Sequence, residues 1–216
     1  MKLTTVTHVT LDGVMQGLGG AYEDRTGGFE RGGWAPPLFV DEAFTFLNGV
    51  YERADAFLFG RRTYELFAGY WGAEERARAA AEDPRNHPIT DALNTKPKYL
   101  VSNTLTEPRW ADTTVLSGDV AEAIGDLKAK PGGELQVHGS GALIRWLLDN
   151  SLVDEMTLLI VPVVLGQGTR LFPDAGPDIA LDLVESRADS RGVTIQVYRP
   201  TGHPRYATAT AEDDDE

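Results

Sequence analysis

The sequence contains no cysteine, which excludes disulfides, thiol nucleophiles and thiolate metal sites and fits a reducing compartment. Positive charge is also scarce: 20 Lys and Arg stand against 33 Asp and Glu, for a formal net charge of -13. With no run of Lys or Arg to override that field, the chain is expected to repel nucleic acid. Long apolar runs are missing. The richest, MTLLIVPVVLG from Met156, is about half of the ~20 residues that a membrane helix needs, and MKLTTVTHVTLDG lacks the apolar centre of a signal peptide. The four histidines, His8, His87, His138 and His203, are scattered and give no metal-binding spacing. These absences predict a cytoplasmic protein with no metal, no membrane and no nucleic-acid partner.

What is present suits one ordinary globule: 216 residues, 42% hydrophobic and 25% charged. A single domain is expected over residues 1–200. Residues 201–216 then form a polar tail that ends in consecutive acids from Glu212 to Glu216, a composition that stays solvated and disordered.

KLTTVTHVT alternates and is rich in β-branched residues, so it reads as a strand that stops at Asp12-Gly13. About two dozen residues dominated by Gly and polar groups follow, a length that compact domains use for lids and binding loops. Helical spacing begins at Asp41, DAFLFG is a short buried strand, and RRTYELFAGYW returns to helical spacing directly after Gly60. Residues 73–97 read as a charged surface helix, a His/Pro loop and a helical turn. KYLVSN and TTVLSG are further strands, and Asp119 is placed to cap the helix DVAEAIGDLKAK. ELQVH is a strand that leads through Gly139-Ser140-Gly141 into the apolar helix ALIRWLLD. VDEMTLLIVPVV is a strand whose Pro162 suggests an edge or a bulge, and two last strands flank Asp189–Gly192. Strands alternating with helices, closed by a hairpin, predict an α/β fold with a mixed, mainly parallel sheet flanked by helices and a C-terminal antiparallel hairpin.

Two strand-to-helix junctions carry chemistry. At a helix start the N–H groups are unpaired and the dipole is positive, and glycine lets an anion approach the backbone. Gly139, Ser140, Gly141 and Ala142 therefore read as a phosphate seat or, more simply, as a tight turn. Gly60, Arg61, Arg62 and Thr63 add guanidinium forks suited to phosphate, or else an ion pair with Glu65. Ile144 stands where a dinucleotide fingerprint needs its third glycine, His138 and Ala142 stand where a hydrolase elbow around Ser140 needs glycines, and G-K-[ST] is missing.

VTLDGVMQ, FGRRTYE, KYLVSNTL and LQVHGSGALIRWLLDNSLVDEMTLLIVPVVLGQGTRLF together resemble the dihydrofolate-reductase-like family, in its branch related to the reductase domain of riboflavin biosynthesis. The resemblance covers residues 1–199. It implies NADPH lying across the strand ends, with Gly139, Ser140, Gly141 and Ala142 at the pyrophosphate. Gly60, Arg61, Arg62 and Thr63 would hold the adenosine side with its 2′-phosphate, and Ser102 and Asn103 would line the adenosine pocket. Leu11, Asp12 and Gly13 match the start of a mobile loop near the nicotinamide, with Trp34 as an apolar cover or as a core anchor of that loop. Asp41 resembles the substrate-binding acid, or else serves its helix start, so the proton would come from Asp41 or from bound water. Val137 and His138 stand where riboflavin reductase domains place an acidic residue.

The implied activity is NADPH-dependent hydride transfer to a small heterocycle, a 5-amino-6-(5-phosphoribosylamino)uracil-like or pterin-like compound, with Asp12, Trp34 and Asp41 on the substrate side. The alternative is a non-catalytic nucleotide-binding or partner-binding relative. A homodimer is expected from the family's habit.

Overall fold

The computed structural model describes residues 1–72, 85, 87–176 and 178–207. The charged helix expected from residue 73 and the tail from 208, with its acidic run, lie outside the described residues. Among the described residues, eight strands form one sheet in the order β4-β3-β2-β5-β1-β6-β8-β7. They are β1 (Lys2–Thr10), β2 (Ala54–Gly60), β3 (Lys98–Val101), β4 (Thr113–Leu116), β5 (Glu134–His138), β6 (Glu155–Val161), β7 (Ala180–Ala188) and β8 (Thr194–Gly202). The first six run parallel, and β8 is antiparallel to both β6 and β7. This is the expected mixed sheet with its closing hairpin. β8 runs through Gly202, two residues past the expected domain limit, and Tyr206 still bonds Asp178 at 2.8 Å.

Among the described residues, five α-helices cover the sheet: α1 (Asp41–Glu52), α2 (Arg61–Trp71), α3 (His87–Thr95), α4 (Val120–Ala129) and α5 (Gly141–Asp149). Period-2 alternation sends each strand's side chains to two different cores. Val6, Phe57, Phe59 and Leu159 meet Leu47, Val50 and Tyr51 of α1, Tyr64 of α2 and Leu93 of α3. Leu3, Leu58, Leu135, Val137 and Met156 meet Ile124 and Leu127 of α4 and Leu143, Ile144 and Leu147 of α5.

Two expectations need correction. Pro162 marks neither an edge nor a bulge: β6 stops at Val161 and lies between β1 and β8, so the proline ends the strand. The His/Pro segment is helical from His87, with Pro88 in the first turn, where its missing N–H breaks no helical bond.

Candidate functional site

Parallel strands put all their C-terminal ends on one edge, where each following helix presents its N-terminus. The turns from β2 to α2, β4 to α4 and β5 to α5 converge there on a cleft of about 660 Å³. Gly60 and Arg61 come from the first junction, Gly118–Ala121 from the second, and Ala142, Leu143 and Trp146 from the third, with Val101 at the end of β3.

The glycine turn is strained and tied down. Gly139 (φ 59°) and Ser140 (φ 54°, ψ 47°) both adopt left-handed conformations, which a serine takes only at some cost. Two hydrogen bonds hold it there: Gly60 N–H donates to Ser140 Oγ (3.1 Å), and Ser140 N–H donates to Thr63 Oγ1 (3.1 Å). The two junctions read from the sequence are thus bonded to each other. Ser140's own amide faces Thr63, so the uncapped donors of α5 are those of Gly141, Ala142 and Leu143, the first bond within the helix being Ile144 N–H to Ser140 O. No side chain caps α2 either. A Cβ at Gly141 would come within 2.5 Å of Met15 Sδ, so a larger residue there would push the flexible Met15 side chain aside.

The two arginines part company. Arg61 donates to Glu65 (3.0 Å) and to Thr104 Oγ1 (2.6 Å), and it lines the cleft. The pairing with Glu65 is the simpler of the two readings the sequence allowed. Arg62 leaves the cleft rim for the long loop, where it pairs with Asp24 and Thr26. Ser102 is buried at the end of β3, and its Oγ accepts N–H bonds from Thr104 (3.2 Å) and Leu105 (2.9 Å); Asn103 is exposed beside it.

The loop after β1 is packed, with Val14, Phe29, Trp34 and Ala35 buried in the same core as α1 and α2. Gln16, only 6% exposed, is its hub: it donates to Asp24 O (3.3 Å) and Thr26 O (2.9 Å) and accepts from Thr169 N–H (2.9 Å). Trp34 is buried and donates Nε1–H to Gln16 O (2.8 Å), so it anchors the loop and is no cover over a site. Asp12 is equally committed. It accepts from Thr10 Oγ1 (2.6 Å), Leu165 N–H (3.1 Å) and Gly166 N–H (2.7 Å), bonds that lower its pKa to about 2, the threonine hydroxyl contributing most.

Asp41 is the first residue of α1, where its charge suits the helix dipole, and Val40 holds the cap position. Its side chain is 87% exposed and pairs with Arg85 at 2.8 Å. Geometry therefore gives the carboxylate to solvent and an arginine. It is not enclosed in a pocket as a proton donor would be.

Beside the turn, β5 is recessed. Its last partner on β1 is Val6, opposite His138, and Gly139 N–H closes that ladder on Val6 O (3.2 Å). β1 runs on with β6 as far as Thr10 opposite Val161. In this recess, on the face that carries α1, stand two histidines. His138 is buried, stacks on Tyr51 with centroids 4.3 Å apart and bonds Gln136 Oε1 at 2.9 Å. Its pKa falls to about 3, chiefly through burial and then through the charge of His8. His8 falls to about 4 through burial. Both rings are neutral at neutral pH.

A profile of the RibD C-terminal domain matches residues 1–195. The chain belongs to that family. It is also 31% identical over 195 residues to the uncharacterized protein YyaP of Bacillus subtilis (strain 168), covering 90% of this chain and 92% of that one. Among solved structures, a putative riboflavin biosynthesis protein from Shewanella sp. PV-4 superposes with a TM-score of 0.65 at 23% identity, over 93% of this chain and 99% of the other. A pyrimidine reductase-like protein from Corynebacterium diphtheriae gives 0.59 at 12% identity, over 93% and 92%. At such identities these two likenesses establish the dihydrofolate-reductase-like fold. Among the described residues, no helix of this RibD C-terminal domain is long and apolar enough to cross a membrane.

Sequence reading missed three parts of the site. Gly118–Ala121 was read as a helix cap only, although its strand-Gly-helix pattern matches the other two junctions. Gln16 gave no signal, since a lone Gln in a glycine-rich loop looks solvated. His8 was hidden as one polar letter in an alternating strand.

Proposed function

We propose that this RibD C-terminal domain is an NADPH-dependent reductase of a small heterocycle. The observation that carries the reading is the convergence of three helix N-termini on one cleft, two of them uncapped and bonded together through Ser140, Thr63 and Gly60.

A dinucleotide fits what is there. Val101, Val120, Leu143 and Trp146 offer apolar walls for a flat base. The N–H groups of Gly141 and Ala142, with those at the start of α2, have no side-chain cap and suit phosphate oxygens. Arg61, with the Ser102–Thr104 turn beside it, is the natural holder of a 2′-phosphate. Arg62 serves instead to pin the long loop. When bound, NADPH supplies the hydride. The protein's part is to fix the acceptor's orientation and to exclude water, tasks to which the packed loop and the recess beside Gly139 are suited. The proton comes from bound water, because Asp41 is given to solvent and Asp12 is committed to backbone N–H groups.

Calorimetry with NADPH and NADH tests the cofactor. Arg61→Ala should weaken NADPH about 10- to 100-fold, the value of a charge-assisted hydrogen bond, and leave NADH nearly unchanged, so that the preference disappears. Oxidation of NADPH with pyrimidine and pterin acceptors then tests turnover. If neither nucleotide binds, the reductase reading is wrong. If NADPH binds and no acceptor is reduced, the protein is a nucleotide binder.

A further inference from the structure

With no cysteine, the sulfur of this chain is confined to three methionines. Met156 is fully enclosed, at 0% exposure, whereas Met1 and Met15 are half-buried. Met1 lies against Gly132, at the far end of β1 from the cleft, and Met15 is the one that touches the candidate site. Its backbone is fixed in the loop after β1 by a bond from its N–H to Thr169 O (2.9 Å). Its side chain rests on Gly141, the first residue of α5: the place a Cβ would take there is 2.5 Å from Met15 Sδ and 3.2 Å from its Cε. Ala142, Leu143 and Trp146 turn toward the cleft, so Met15 closes the opposite side of the same helix start.

A thioether is an apolar filler, but its sulfoxide is polar and accepts hydrogen bonds. Donors for such an oxygen already surround the sulfur. The first N–H groups of α5 are uncapped. Arg145, one turn further on, brings Nη1 to 3.3 Å from the same Cβ position of Gly141. Its bonds go to main-chain carbonyls and are long, 3.4 Å to Arg170 O and 3.1 Å to Leu171 O. Reduced Met15 uses none of these donors.

We propose that Met15 is an oxidation site whose sulfoxide closes the glycine turn to phosphate. The oxidant is a hydroperoxide. Sulfur attacks the hydroxyl oxygen, the S–O bond forms as the O–O bond breaks, and the hydroxyl proton passes to the departing oxygen, giving water or an alcohol. Sulfur loses two electrons and the peroxide gains them. The new oxygen accepts from the Arg145 guanidinium and the α5 N–H groups, which holds it over Gly141 and withdraws donors from a dinucleotide's phosphates. Thiol-driven sulfoxide reduction reverses the change. This rests on the reductase reading above and adds to it a regulation of the same site.

The test compares each protein with itself before and after hydrogen peroxide, which is removed before NADPH is titrated by calorimetry. Peptide mass mapping should find the added oxygen on Met15 ahead of Met156. The affinity of the wild type for NADPH should fall about tenfold or more, the value of a charge-assisted hydrogen bond. Methionine sulfoxide reductase with dithiothreitol should restore it. Met15→Leu, which keeps the volume and lacks the sulfur, should hold its own affinity through the treatment. The melting temperature of the unliganded wild type should move little, which separates a closed turn from a damaged fold.

If Met15 stays reduced while Met156 is oxidised, if the oxidised wild type binds NADPH as before, or if Met15→Leu loses affinity equally, the role of Met15 is overturned and the reductase reading stands. A fall in affinity that comes with a collapse of the melting temperature overturns it as well. If the untreated wild type does not bind NADPH, both fall.

Discussion

The two faces of the sheet are built differently. Beneath α4 and α5, buried Leu, Ile, Val and Met fill most of the space, with Thr5 and Thr7 of β1 among them, and the loss of any one costs packing. Beneath α1, the same sheet buries Gln136, Thr157 and His138, the last against Tyr51 and Phe57, and half-buries His8, so nearly every polar atom must find a partner. An apolar face needs only shape, whereas a polar interior is costly unless satisfied. The face that bears this cost is the one that flanks the recess at the glycine turn, while α4 and α5 line the cleft on the other side.

The contrast can be broken from either side. The largest effect is expected from Ile144→Ala on the apolar face, a loss of about 2–5 kcal/mol in urea unfolding, with no specific effect on acid stability.

Acidification should act on the other face. Both histidines have folded pKa values below the ordinary 6.5, near 4 for His8 and 3 for His138. The unfolded chain thus binds protons first. Stability is complete above pH 6.5 and falls as the pH drops toward those folded values, by at most about 1.4 kcal/mol per unit for each histidine, and by less for the partly accessible His8. His8→Phe should flatten the slope between pH 6.5 and 4; an unchanged slope would mean that His8 is not held neutral by burial.

Gln136→Leu should cost about 1–3 kcal/mol, since it strips partners from Val50 O and His138 Nε2 together. A neutral outcome in chemical denaturation would mean that the polar face is no network. The smallest effect should come from Asp41→Asn at the exposed ion pair with Arg85. Neither the melting temperature nor turnover should change measurably, and a large fall in turnover would restore Asp41 as a proton source.

Much of the fold was legible in advance because local pattern and global structure agree. Val120, Ile124 and Leu127 recur on one helical face, Asp119 accepts Glu122 N–H at 3.0 Å as a cap should, and Asp189–Gly192 turns between the last two strands. The glycine turn and the FGRRT junction were legible as helix starts able to take an anion. What could not be read was which of their groups face one another. That Ser140 bonds both Gly60 and Thr63, that Arg62 reaches Asp24, and that Trp34 points inward are contacts across 80, 77, 38 and 18 positions of chain. No local periodicity encodes them.

Alone, the sequence determined the order of strands and helices, the places where glycine frees the backbone, and the absence of thiol chemistry. These follow from side-chain spacing and composition, which are local. The tertiary structure decided that β5 falls short between β1 and β2, that one arginine lines the cleft while its neighbour holds the loop, and that a histidine in the first strand is left with an unpaired nitrogen. Burial and partnership arise only when distant segments meet, and there the same imidazole becomes either a solvated base or an enclosed neutral group.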